Sequence, residues 1–331
     1  MSPEHTETSE AWRLFVFNWA VIGLMAAALA IAMILTGFSF APGGVLKPAV
    51  IIGGYLGVAY YNARRRNGRD PVVIFILGST GQVLLIPILM TPMTYIAASA
   101  NLPLQDAALA ALDRGLGLDW HAYYDFISAH HWMVLSAVAA YSMIKWPIFG
   151  IPVVLGFARH YRRIQEFTLA FAIALVVTTV ISALVPAAGI YDVQHFANPN
   201  VPFTSEAITD QLKDFPAVRD GSLRAMDLMS LTGIITFPSF HAASAVIFLW
   251  AFWAVWWMRP IAIVANIGML FATPYIGSHY FIDVFAGIAI AIVSIAAACA
   301  ASRWLTRPEA RIAPAPFLSP VASEQGSARM A

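Results

Sequence analysis

The sequence predicts an all-α fold: a polytopic membrane helical bundle of about eight transmembrane helices. Three observations carry that expectation. Hydrophobic residues make up 60% of the 331-residue chain and charged residues only 11%, against about 25% charged in soluble domains; the mean hydropathy is +0.71. The apolar residues fall into runs long enough to cross roughly 30 Å of hydrocarbon. The charges between those runs segregate by sign.

In chain order the runs lie at about 14–37, 46–62, 72–98, 132–157, 164–185, 237–257, 261–277 and 280–302. The second and seventh are short, and the third contains Pro87 and Pro92. Arginine-rich connections mark the cytoplasmic side: "ARRRNGRD" after the second run, "ARHYRR" after the fourth, Arg259 after the sixth, and Arg303, Arg307 and Arg311 after the eighth. All fall on one side if the N-terminus is inside. The opposite connections, 99–131 and 186–236, hold ten acidic residues against four basic ones. Both termini are therefore expected inside and the long loops outside, in a multi-pass cell-membrane protein. The net charge of +1 points to no partner by itself.

Four regions follow: a cytoplasmic N-terminus (1–13), three N-terminal spans with an outer interfacial segment (14–130), the main part of the membrane domain (131–304) and a cytoplasmic tail (305–331). Within 104–125 a helical apolar stripe on a polar segment predicts a helix in the outer interface or an ordinary loop helix. The tail, rich in Pro, Ala and Ser, predicts disorder. The first run is long and reads as a retained span, not a cleaved leader. Cys299 is the chain's one cysteine, which excludes an intramolecular disulfide and a cysteine-based metal site.

Two runs begin oddly. "TFPSFHAASAVIFLW" (236–250) carries Ser239 and His241 in its first turn, and "PYIGSHYFIDVFAGIAIAIVSI" (274–295) carries His279 and Asp283. With the topology above, the sixth and eighth spans run in the same direction, so membrane geometry brings both polar heads to one face. Pro238 is expected in the first helical turn, where its missing N–H costs nothing. Helix starts expose free amides and the positive end of the dipole, which suits a phosphate. Asp283, four residues after His279, can hold one imidazole nitrogen as N–H and leave the other as a nucleophile or base. Ionisable groups inside spans are costly and are functional candidates by default.

"FPSFHAASA" resembles the P-S-x-H signature of the phosphatidic acid phosphatase type 2 superfamily, and "GSHYFIDVFAG" resembles the end of its next signature, H-x3-D. The form H-Y-x-x-D-V-x-x-G, with "LVPAAGIY" (184–191) ahead of it, is similar to the inositol phosphorylceramide synthase and sphingomyelin synthase branch. The resemblance covers roughly 130–302. It implies a lipid phosphatase or head-group phosphotransferase working through a phosphohistidine. His279 would attack phosphorus, Asp283 would orient it, and His241 would protonate the leaving alcohol and then activate water or an acceptor alcohol. Ser239 and the helix-end amides would hold phosphate oxygens. No metal and no cofactor are implied. The partners would be a lipid phosphate or phosphodiester, an alcohol acceptor for transfer, and the bilayer; nucleic acid is not among them.

The chain departs from the superfamily pattern in two places. Its first signature, K-x6-R-P, has no match, and Thr273 stands where an arginine precedes the nucleophile. The cation that a transferring phosphoryl group needs must then come from elsewhere. The outer loop supplies Lys213, Arg219 and Arg224, of which the last two lie closest to the sixth span, and simple surface pairing with their acidic neighbours is the competing reading. Lys145, mid-way along the fourth run, could pair with a carboxylate, line a head-group cavity or snorkel to an interface. A transporter or channel relaying ions through His241, His279, Asp283 and Lys145 is the alternative from a different class. It would spread polar groups through the membrane depth, whereas these cluster at one face. A metal or haem site on His241 and His279 would have a thin ligand set.

Overall fold

The structure, a computed structural model, describes residues 3–65, 70–193 and 206–307. Its helices are α1 (Pro3–Thr36), α2 (Leu46–Arg64), α3 (Pro71–Ala98), α4 (Asp106–Gly115), α5 (Trp120–Ser128), α6 (His131–Ser142), α7 (Lys145–Phe157), α8 (Tyr161–Leu184), α9 (Ile190–Val193), α10 (Glu206–Arg219), α11 (Phe240–Phe252), α12 (Arg259–Ile276) and α13 (Phe281–Leu305). Two short strands, β1 (Ser39–Phe40) and β2 (Ala225–Met226), pair in parallel and tie the α1–α2 connection to the loop ahead of α11. The tail from Pro308 onward lies outside the described residues.

Among the described residues five helices are long and apolar enough to cross a membrane: Glu7–Thr36 within α1, then α3, α8, Trp256–Ile276 around α12, and α13. The bent pair α6–α7 makes a sixth if it forms one span. The chain is thus an integral multi-pass membrane protein, but the expected eight spans are not shown. The two expected runs that fall short by length or composition are those of α2 and α11. The tyrosines and glycines of α2, together with Lys47 and Asn62, leave it less apolar than a span needs. The 13 residues of α11 rise about 20 Å, short of the hydrocarbon thickness. A run of apolar letters does not reveal where a helix stops. Here the chain leaves α11 after Phe252 and passes through a turn at Trp256–Met258 before α12.

The fourth run is also not one helix. It breaks between Ser142 and Lys145 with a 57° bend. Lys145, expected mid-span, opens α7 at this break and is exposed.

The bundle core runs through α3, α8, α11 and α13, where Val83, Ile86, Phe167, Phe171, Ile247, Phe248 and Ala291 are buried together. Tight helix approach is licensed by small residues, as membrane packing requires: a Cβ on Gly156 of α7 would lie 2.3 Å from Ile76 of α3. Polar ties add register. Gln165 donates to Ser79 Oγ at 2.7 Å, Asn18 donates to Gln165 Oε1 at 3.0 Å, and Gln82 donates to the Phe15 carbonyl at 2.9 Å. These pin α1 and α3 to α8 and leave the catalytic candidates to α11–α13.

Candidate active site

The first turns of α11 and α13 touch. Ser239 has extended backbone angles and serves as the N-cap of α11; its Oγ accepts from the Ala242 amide at 3.3 Å, satisfying one of the helix's free donors. Pro238 therefore sits one position before the cap, not in the first turn as its chemistry suggested. The Ser239 amide donates to the Asp283 carbonyl at 3.1 Å, which links the two helix starts through the backbone. Gly287, one turn further along α13, makes this approach possible. A Cβ there would lie 2.3 Å from the Ser239 carbonyl oxygen and 3.0 Å from Ala242 Cβ.

His279 occupies the turn between α12 and α13 and is buried, as is Asp283. Its Nδ1 lies 3.2 Å from Asp283 Oδ2, and the same oxygen accepts from the Tyr280 amide at 2.9 Å. Its Nε2 lies 3.3 Å from Ser239 Oγ. A carboxylate on Nδ1 favours the tautomer with its proton there and a lone pair on Nε2. The serine hydroxyl then donates to that lone pair at rest. The pairing of Ser239, His279 and Asp283, read from two distant stretches of sequence, is realised as one chain of contacts.

His241, in the first turn of α11, is half-buried and lies flat against Tyr141 of α6, with ring centroids 3.9 Å apart and planes at 13°. The tyrosine hydroxyl reaches the turn that carries His279. A Cβ on Gly277 would lie 2.8 Å from Tyr141 Oη and 2.6 Å from His279 Cδ2. Tyr141 thus joins the two histidines, and glycine at 277 leaves the room. Nothing in the sequence distinguished this tyrosine from the other aromatic residues of the fourth run.

Two aspartates also escaped the sequence reading as site residues. The polar segment after α3 folds as α4 and α5, and α4 lies against the head of α13. Asp113 accepts from both the Phe281 and Ile282 amides at 2.8 Å. Asp106, seven residues earlier on the same face of α4, accepts from the Ala188 and Gly189 amides at 3.0 Å each and from the Tyr280 hydroxyl at 3.0 Å. Burial pushes the Asp113 carboxyl above the usual carboxylate range, and the two amide bonds oppose that shift. The signal for both was present as the spacing Asp106–Leu109–Asp113, a helical stripe that mixes acid with apolar residues.

The stretch "LVPAAGIY" meets the same place. Ser278 has a left-handed backbone, φ 58°, and its carbonyl accepts from the Ile190 amide at 3.1 Å. Its Oγ accepts from the Tyr191 amide at 2.9 Å. Gly189, at φ 99°, is required twice over, because a Cβ would also lie 2.9 Å from the Ser278 carbonyl oxygen.

The arginines lie apart from this cluster. Arg219 Nη2 donates to the Leu102 carbonyl at 2.8 Å and its guanidinium lies 5.3 Å from the Phe215 ring centroid. Burial pulls its pKa down and Asp106 pushes it back up. Arg224 donates to the Val218 and Leu223 carbonyls and covers the Phe38 ring. Among the described residues neither hydrogen-bonds to Ser239, His241 or His279. Thr273 is buried and spends its hydroxyl on the Met269 carbonyl, 2.7 Å away in its own helix. No group of three or more His, Cys, Asp or Glu side chains able to hold a metal ion occurs among the described residues.

No curated protein and no solved structure matches the chain. The profile described as the PAP2 superfamily matches residues 107–297. That range is more than half of the chain, and it takes in α4 and α5 as well as the two histidine motifs. The match begins upstream of the 130 expected from the motifs alone, at the helix that carries Asp113. On that match the chain belongs to the PAP2 superfamily, that of the type 2 phosphatidic acid phosphatases.

Proposed function

We propose that the protein is a membrane enzyme that hydrolyses or transfers a phosphoryl-containing lipid head group through a phosphohistidine on His279. Members of the superfamily are typically phosphatases or phosphotransferases acting on phosphate esters. The observation that carries the reading is the His279 environment: Nδ1 on a buried carboxylate and Nε2 open toward the N-cap of a second helix.

In this reading Ser239 Oγ–H turns from Nε2 to a phosphoryl oxygen when substrate arrives. The freed Nε2 lone pair forms the N–P bond as the bond from phosphorus to the leaving oxygen breaks. His241 gives its proton to that oxygen. Water or an acceptor alcohol then loses its proton to His241 and attacks phosphorus, and the N–P bond breaks. Asp283 keeps the proton on Nδ1 throughout. Tyr141 orients the His241 ring by stacking and offers a hydroxyl at the same place.

Arg219 is the better of the two arginines to supply positive charge. Its Nη1 is buried with no hydrogen-bond partner among the described residues, and Asp106 connects its field to Tyr280, next to the nucleophile. Arg224 spends its Nη1 on the nearby Val218 and Leu223 carbonyls. The contacts of Ala188, Gly189 and Tyr191 with the site favour the inositol phosphorylceramide and sphingomyelin synthase-like branch, and so transfer to an alcohol. The arginine-rich connections favour an outward-facing site.

Purified protein offered a panel of lipid phosphates and phosphodiesters, with and without alcohol acceptors, tests the reading. A phosphoenzyme that forms in the wild type and is lost in His279→Ala supports it. Turnover with the phosphoryl group trapped on another residue overturns it.

A further inference from the structure

At the end of the bundle opposite His279, a cavity of about 370 Å³ is lined by Glu7, Arg162, Arg163, Glu166, Trp250, Cys299 and Arg303. Arg303 is twenty residues along α13 from Asp283, about 30 Å by helix rise, so this cavity is separate from the proposed catalytic cluster. Its three guanidinium groups are not equivalent. Arg162 is engaged on two carboxylates and a hydroxyl: its Nε donates to Glu166 Oε1 at 3.0 Å and to Ser302 Oγ at 2.9 Å, and its Nη1 donates to Glu10 at 3.0 Å, while its backbone amide donates to Glu7 Oε1 at 3.0 Å. The nearby carboxylates are thus turned onto Arg162.

Arg163 and Arg303 are left under-compensated. The Arg163 guanidinium lies over the Trp250 ring, 4.1 Å from its centroid, a stack that fixes its plane. Its one ion pair among the described residues, Nη1 to Glu166 Oε2, is stretched to 4.0 Å. Arg303 is exposed on α13, near the helix C-terminus. The cavity volume is within the range of small-ligand sites, and basic pockets between transmembrane helices near a bilayer surface take anionic head groups.

We infer that Arg163 and Arg303, walled by Trp250, form a second site that binds a phosphate anion at the bundle end opposite the catalytic one. A phospholipid head group and free phosphate both carry that anion, and the experiment separates them. Cys299 lines the cavity and is the chain's one cysteine, so its alkylation by neutral N-ethylmaleimide reports occupancy directly. The full chain would be placed in phosphatidylcholine nanodiscs, with phosphatidylglycerol as one added probe and inorganic phosphate as another.

Phosphatidylglycerol is expected to slow Cys299 alkylation in the wild type. Each arginine contributes about fivefold in affinity at such a surface. Arg163→Gln with Arg303→Gln should therefore raise the half-protecting lipid fraction roughly thirtyfold, and Arg303→Gln alone about fivefold. Equal protection by inorganic phosphate identifies a free-anion site; protection by the lipid alone identifies a head-group site. A wild-type rate unchanged by both probes overturns the inference, as does equal slowing in the double variant. The readout needs no turnover, so it stands or falls apart from the catalytic proposal.

Discussion

Replacing Gly287 by alanine is the sharpest test of the close approach between α11 and α13. The added Cβ would lie 2.3 Å from the Ser239 carbonyl oxygen, 3.0 Å from Ala242 Cβ and 3.2 Å from the Ala243 nitrogen. The first contact is with backbone, which cannot rotate away as a side chain would. Carbon and oxygen settle at about 3.3 Å in their closest favourable contacts, so the helix starts must part by about 1 Å. Ser239 Oγ and His279 Nε2 are 3.3 Å apart now; a further ångström ends the hydrogen bond. A misplacement of that size costs about a hundredfold in rate, or about 2.7 kcal/mol of transition-state stabilisation. The overpacking costs about 1–3 kcal/mol in stability besides. The assay is kcat on the best substrate from the lipid panel, with a melting curve on the same preparation. Gly150→Ala is the control, because its Cβ would meet only Phe252 at an ordinary 3.6 Å. A Gly287→Ala enzyme within threefold of wild-type kcat would refute the argument that this contact sets the catalytic geometry.

Tyr141→Phe keeps the ring on His241 and removes only the hydroxyl; it should lower kcat about tenfold with little change in melting temperature, whereas unchanged kcat would assign the tyrosine to stacking alone. Asp113→Asn leaves one of the Phe281 and Ile282 amides facing a donor, and a lost buried bond of this kind costs about 1–3 kcal/mol, read as a lower melting temperature; an unshifted melt would refute the stabilising role of these two bonds. His241→Ala should slow substrates with poor alkoxide leaving groups by about 10²–10⁴-fold and a nitrophenyl ester far less, so equal losses on both would remove His241 from the acid role. Activity should survive EDTA and fall with vanadate, and its restoration by zinc or magnesium after chelation would point to a metal site instead. Single cysteines at positions 64 and 222, in a Cys299→Ser background, should label from opposite sides of intact cells; labelling of both from outside would overturn the topology.

Much of this molecule could be read from the letters, and what could not has a physical cause. Helix positions followed from apolar runs because membrane helices satisfy their backbone internally, so hydropathy alone locates them. Span number did not follow. Apolarity cannot show that α11 ends at Phe252, or that the fourth run bends by 57° at Lys145. The meeting of Ser239 with His279 was legible because the polar heads of the sixth and eighth apolar runs were expected at one face. The roles of Asp106, Asp113 and Tyr141 were not, since they depend on which way α4 and α6 face: the Asp106–Leu109–Asp113 spacing marks a helical stripe but not what it packs against, and Tyr141 stands among other aromatic residues of its run. Thr273 was a legible departure, and its hydroxyl now has a partner in its own helix, which leaves the missing cation to be supplied from elsewhere.

The two helix starts at this site are not interchangeable, and their difference bears on their parts in the proposed reaction. Each α-helix begins with free amides that attract an anion. In α13 those donors are already spent: Phe281 and Ile282 donate to Asp113, and the Asp283 amide donates to the Tyr280 carbonyl at 3.2 Å. In α11 the Ala242 and Ala243 amides are taken by Ser239, while among the described residues the Phe240 and His241 amides have no protein partner. An arriving phosphoryl group would therefore find its backbone donors at α11 alone. The protein carboxylate at α13 takes the place of that anion and holds rigid the turn that carries His279. One helix start would receive the charge that develops on phosphorus, and the other would present the nucleophile to it at a fixed distance. On this argument, neutralising Asp113 should loosen His279 without weakening phosphate binding. Asp113→Asn should thus lower kcat more than it raises KM. A rise in KM with kcat unchanged would mean instead that α13 holds the substrate and that the two helices have been assigned the wrong way round.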